Sequence, residues 1–189
     1  MKIVLTGSSS GIGLAIKNKL QTEHEIICLD ITDGYDIGDL SIVKHILDAD
    51  VFINNAYCKV NPEAQCKLFE MVHEDWRQYN NKHIINMGSL SKYYDLEVFK
   101  FPEYSSAKKK LSEVHCKALV DVRKNILTHI CPGYTDTPMV KNFSVPKMDV
   151  EVVADAVKYC IKMGQLGIEI ADLTLCQIKD FGEPPRERQ

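Results

Sequence analysis

The feature that most constrains the fold of this chain is a short apolar run that empties into a glycine-serine turn: Lys2-Ile3-Val4-Leu5-Thr6, then Gly7-Ser8-Ser9-Ser10-Gly11-Ile12-Gly13, then a helical pattern over 12–21. A buried strand, a tight turn and a helix in that order form half of a βαβ unit, which needs a parallel neighbour to complete it. The neighbours are present. Apolar runs at 25–30, 51–54, 83–87, 125–130 and 168–176 alternate with helical patterns at 36–47, 63–76, 102–118 and 148–163. This alternation predicts an α/β fold, a doubly wound and mostly parallel sheet of the Rossmann type in a single domain. No stretch rich in Pro, Gly or Ser divides the 189 residues, so we read 1–183 as one domain and 184–189 as a polar tail.

Composition narrows the partners. A formal net charge of −3, from 26 acidic and 23 basic residues, offers no basic face beyond Lys108-Lys109-Lys110, so nucleic acid and anionic membrane are not expected as partners. The chain shows no apolar stretch approaching the roughly 18 residues that a spanning helix needs, nor a signal peptide at Met1. Its seven cysteines are scattered and never spaced C-x-x-C, which suits free thiols in a reducing compartment and gives no zinc or other metal motif. The expectation is a soluble, cytoplasmic protein without a metal.

Two local patterns carry chemistry. In the turn, glycines let backbone approach a ligand closely, and the following helix N-terminus presents free N–H groups to a phosphate. The spacing is G-x-x-x-G-x-G, unlike the general dinucleotide fingerprint G-x-G-x-x-G. Asp30 ends the second strand, where a carboxylate accepts from adenosine ribose hydroxyls and repels a 2′-phosphate; no Arg or Lys follows in Ile31-Thr32-Asp33, and Ser10 stands in the loop where a basic residue would help hold that phosphate. These features point to NAD(H) rather than NADP(H). The second pattern is Tyr104-Ser105-Ser106-Ala107-Lys108, which on a helix puts Tyr104 and Lys108 one turn apart on one face. A phenol titrates near 10, and a neighbouring ammonium is expected to draw it down toward useful acid/base chemistry.

With Asn54-Asn55-Ala56, the strand-end Ser89 in Asn86-Met87-Gly88-Ser89, and Pro132-Gly133 with Thr135 and Thr137, these motifs resemble those of the short-chain dehydrogenase/reductase family, in its order and over most of the chain. The resemblance implies an oxidoreductase that passes a hydride between nicotinamide and a carbonyl or secondary alcohol. Tyr104 would be the acid/base, Lys108 would lower its pKa and bind the nicotinamide ribose, and Ser89 would bond the substrate oxygen. Ser91 competes with Ser89 by its spacing to Tyr104; the strand-end pattern favours Ser89. The family's helix asparagine, part of a proton relay, is best matched by Asn61 in Val60-Asn61-Pro62. Gly7, Ser9, Ser10, Gly11, Ile12, Gly13, Asp30, Asp36, Asn55, Ala56, Tyr104, Lys108, Pro132, Gly133, Thr135 and Thr137 would surround the cofactor. The family also implies a homo-oligomer, a dimer or tetramer.

This sequence departs from the family by being short. Little remains of a helix and strand between Asp30 and Asp36, a stretch is missing between Asn55 and Asn61, and the substrate-covering segment shrinks to about 140–147. Tyr57 stands where the family has glycine. A shortened lid would leave the substrate site open, and a non-catalytic dinucleotide-binding or sensor protein is the alternative. Tyr57, Tyr93, Tyr94 and Tyr134 are candidates to ring the site. The face of Leu68, Val72 and Trp76 suits core or subunit contact, and His115 and His129, without companions at ligand spacing, read as structural.

Overall fold

The structure, a computed structural model, describes residues 1–93 and 101–177. Six parallel strands form one sheet in the order β2-β1-β3-β4-β5-β6: β1 Lys2–Thr6, β2 Glu25–Leu29, β3 Val51–Asn54, β4 His83–Met87, β5 Ile126–Pro132 and β6 Asp172–Leu175. The register runs Leu5 opposite Cys28 on one side and opposite Ile53 on the other. From β1 the chain steps outward to β2, then returns past β1 to β3. That reversal is the topological switch point of a doubly wound sheet, where a crevice opens beyond the carboxyl ends of the strands.

The period of two in the strands sorts their side chains into two layers. Ile3, Leu5, Val51, Ile53, Ile85 and Met87 pack with Ile16 and Leu20 of α1 (Gly11–Leu20) and Val153 and Val157 of α4 (Val150–Gln165). Val4, Phe52, Ile84 and Leu127 face the other way, onto Leu68, Phe69, Val72 and Trp76 of α2 (Ala64–Trp76) and Leu111 and Val114 of α3 (Pro102–Val120). Because the inner strands β1, β3, β4 and β5 are covered on both faces, their runs read as continuously apolar, while the edge strands β2 and β6 stay partly exposed. Trp76 is fully buried, and its Nε1 donates to the Leu47 carbonyl at 3.1 Å, so its face is core rather than a subunit contact.

Two elements differ from the sequence expectation. The helical pattern over 36–47 becomes a 3-10 helix, Leu40–His45, capped by Asp39, whose side chain accepts from the Ser41 N–H at 2.9 Å. Between β2 and β3 the chain buries Ile37, Ile42, Ile46 and Ala49 with 3-10 turns rather than an α-helix. The closing strand is Asp172–Leu175, shorter than 168–176, because pairing to β5 begins where His129 meets Asp172. The expected boundary at 183 and the tail 184–189 lie outside the described residues. Among the described residues no helix is long and apolar enough to cross a membrane, and all seven cysteines are free.

Candidate functional site

The turn after β1 is held by a backbone clasp. Gly7 and Gly11 take φ of 70° and 52°, the left-handed region open to glycine. A Cβ on Gly13 would overlap the Gly7 carbonyl oxygen, so α1 packs there only because that residue has no side chain. The Asn55 amide Nδ2 donates to the carbonyls of Thr6 and Gly7, both at 3.0 Å. Thr6 Oγ1 in turn accepts the backbone N–H groups of Asn55 at 2.9 Å and Ala56 at 3.1 Å. Thr6 belongs to the turn motif in the sequence, but only the pairing of β1 with β3 shows that its hydroxyl ties the two strand ends together.

Beyond this clasp lies a cavity of about 520 Å³. Its walls include Gly7, Ser9, Ser10, Gly11, Ile12, Gly13, Asp30, Asp36, Asn55, Ala56, Tyr104, Lys108, Pro132 and Thr137. Gly133 and Thr135 line instead a second cavity of about 710 Å³, along with Ser89, Ser91, Leu90, Phe101, Tyr134, Val140 and Phe143. Tyr104 lines both, with Ser89 on the side of the larger cavity and Lys108 on the side of the smaller.

Asp30 is 2% exposed. Its Oδ2 accepts from the Ser9 N–H at 2.8 Å, while Oδ1 accepts from the N–H and hydroxyl of Thr32, both at 3.0 Å. Burial works against the carboxylate, but these donors outweigh it and hold Asp30 below its ordinary value. A carboxylate has about four acceptor sites, so Oδ2 keeps capacity toward the cavity. Asp36 is exposed, its Oδ1 accepting from the Gly38 N–H at 2.7 Å.

The Tyr104–Lys108 pair differs from expectation. Lys108 is 3% exposed, and its ammonium lies 5.5 Å above the Tyr104 ring without bonding the hydroxyl. Its Nζ donates instead to Gln65 Oε1 at 2.8 Å and to the Met87 carbonyl at 2.7 Å. Burial lowers Lys108 to about 7. Tyr104 moves up rather than down: burial dominates, and the hydrogen bond with Ser89 offsets it only in part. Ser89 Oγ also accepts from the Ser91 N–H at 3.1 Å, so Ser91 meets Ser89 through its backbone.

Asn61 lines neither cavity; it sits before α2 with its N–H toward Cys58 Sγ at 3.4 Å. The amide that reaches the lysine belongs to Gln65, which sequence reasoning missed because no spacing rule links α2 to α3. Tyr57 lines both cavities and packs edge-on against Tyr104, ring centroids 5.0 Å apart. Tyr134 meets Phe143 at 5.8 Å on the wall of the larger cavity, where Phe143 also meets Phe101 at 5.8 Å. The short segment after Met139 thus still reaches over the site. Tyr93 is 66% exposed and lines neither cavity, and Tyr94 lies outside the described residues.

His129 does have companions. Strand pairing sets it against Asp172, and Cys131 follows two residues on, bringing three ligand-type atoms within 4.8 Å of one another. Lys92 Nζ lies 3.2 Å from Asp172 Oδ2, and Cys131 and Asp172 together overcome burial to hold Lys92 above its ordinary value. The cluster therefore already contains a cation. His115 stacks on His129 at 5.1 Å and is lowered by burial to about 4.

Solved structures share this fold along nearly the whole chain. A 3-alpha-hydroxysteroid dehydrogenase from Pseudomonas sp. B-0831, complexed with NADH, matches with a TM-score of 0.76 at 18% identity, over 93% of this chain and 95% of that one. The closed form of a serine dehydrogenase complexed with NADP+ gives 0.72 at 16% identity, over all of both chains. A short chain dehydrogenase from Burkholderia cenocepacia J2315 with NADP gives 0.70 at 16%, over 93% and 88%. This chain has the short-chain dehydrogenase fold. No family model matches the sequence, and no curated protein matches it, so the likeness is one of backbone architecture.

Proposed function

We propose that the protein is a member of the short-chain dehydrogenase/reductase family, an NAD(H)-dependent oxidoreductase acting on a carbonyl or secondary alcohol. The observation that carries this reading is the position of Tyr104 between the two cavities, with Lys108 behind it and Ser89 in front. The glycine-lined cavity fits a dinucleotide: its turn tolerates no side chain at Gly13, and Asp30 Oδ2 offers an acceptor for a ribose hydroxyl while opposing a 2′-phosphate. Bound there, nicotinamide supplies or accepts the hydride.

The chain's own residues supply the rest. Burial keeps the Tyr104 hydroxyl protonated near neutral pH, which suits donation of a proton to a carbonyl oxygen as it gains charge. The Ser89 hydroxyl, half-buried beside it, hydrogen-bonds the same oxygen. Leu90, Phe101, Tyr134, Val140 and Phe143 give the larger cavity an apolar wall that favours an apolar substrate body. Replacing Tyr104 by Phe removes the proton donor and keeps the ring that lines both cavities. In a screen of carbonyl substrates followed by NADH absorbance, Tyr104→Phe should lose turnover and keep NADH affinity; wild-type turnover in that variant would refute the mechanism.

A further inference from the structure

Gln65, in the first turn of α2, is 3% exposed and makes side-chain bonds in three directions. Its Nε2 donates to the Asn54 carbonyl at 2.7 Å and to the Met87 carbonyl at 3.1 Å, while its Oε1 accepts from Lys108 Nζ at 2.8 Å. Its own carbonyl accepts from Asn54 Nδ2 at 2.9 Å, and that amide also donates to Asn86 Oδ1 at 2.9 Å. This network fixes which way the Gln65 amide points, because a flipped amide would set its NH2 against an ammonium.

An ammonium has three N–H donors. Gln65 Oε1 and the Met87 carbonyl take two from Lys108, leaving one for the smaller cavity that the lysine lines. We propose that Gln65 is a positioning residue that holds the Lys108 ammonium charged and aims its remaining N–H into the cofactor cavity. Neither an amide nor a backbone carbonyl exchanges a proton near neutral pH, so this contact anchors the lysine without passing a proton on. Burial alone pulls Lys108 toward its neutral form, and acceptors on the charged form oppose that pull. The titratable groups facing Lys108 are Tyr104 on its own helix and Cys131 on β5, whose thiol burial holds above its ordinary value. From α2 and β4 it meets only neutral partners, Gln65 and the Met87 carbonyl.

The inference rests on the oxidoreductase reading for its purpose, but its test does not. In full-length protein labelled with 13C-lysine, the Lys108 ε-carbon is followed against pH and assigned by its loss in Lys108→Arg. Gln65→Leu should lower the Lys108 midpoint by about one unit, the worth of a hydrogen bond to a charged group. Gln65→Glu, isosteric and anionic, should raise it by at least about one unit. Should the Leu variant fail to fold, the Glu variant carries the test. In turnover assays the pH above which NADH KM rises should move in the same directions. Midpoints within about 0.3 units of wild type in the folded variants would overturn the role of Gln65, leaving the oxidoreductase reading intact. Wild-type protein that binds NADH but turns over no carbonyl would overturn that reading, and the lysine titration would still decide the inference.

Discussion

Asn55 should be the most informative single residue in the glycine turn. Its Nδ2 serves the last carbonyl of β1 and that of Gly7, each at 3.0 Å, while its backbone N–H is bound separately by Thr6 Oγ1. Asn55→Ala therefore deletes two neutral hydrogen bonds and leaves the strand pairing of β3 in place. At about 1 kcal/mol net for each bond, the loss is about 2 kcal/mol. For a domain of this size that corresponds to a fall in Tm of about 4–8 °C. Asn55→Asp is the sharper perturbation. It keeps shape but turns a carboxylate oxygen onto two carbonyl oxygens, so it should cost more than the alanine change. Because Gly7 sits at φ 70° and relies on that amide, NADH affinity should drop by at least tenfold in both variants, about 1.4 kcal/mol. Thermal denaturation followed by circular dichroism and NADH titration by fluorescence read the two effects. If Asn55→Asp melted at the wild-type temperature, the clasp would not be what holds the turn.

Two further outcomes follow from buried charge. NADH should raise the Tm more than NADPH at equal concentration, since a 2′-phosphate would meet the Asp30 carboxylate; the opposite order would overturn the role given to Asp30. Acid should destabilise the fold through His83, which burial lowers to about 4 while its Nε2 pairs with Thr128 Oγ1 at 2.9 Å. The unfolded chain takes up a proton near 6.5 that the fold refuses, so stability is full above about pH 6.5 and declines as the pH falls toward about 4, by roughly 3 kcal/mol. Urea midpoints at about pH 7.5 and about pH 5 should differ less in His83→Gln than in wild type, and an equal difference would exclude His83 as the cause.

Much of the architecture was legible because local signals agreed with it. Continuous apolar runs bounded by turn residues gave five of the six strands almost to the residue, and the glycines of the first turn were each required by a φ or a close contact. Elsewhere tertiary context overrode or extended the local signal. The segment 36–47 carries helical spacing, yet it folds as the 3-10 helix Leu40–His45 behind the Asp39 cap. Asn61 matched a motif by its distance along the chain, whereas the amide that meets Lys108 comes from Gln65, brought there by the packing of α2 across β3 and β4. His129, Cys131 and Asp172 show the same limit, since only the register of β5 against β6 makes them neighbours.

The sequence by itself determined the sheet, the turn and the residue types that gather at the crevice, because propensity, periodicity and glycine conformation are properties of short segments. The tertiary structure decided how those residues are charged and aimed. Lys108 faces Gln65 and Met87 rather than the phenol it follows by one helical turn, and Tyr104 is held up by burial instead of drawn down by its neighbour. Desolvation and cross-strand hydrogen bonds exist only once distant segments have packed, so no spacing along the chain could have set them.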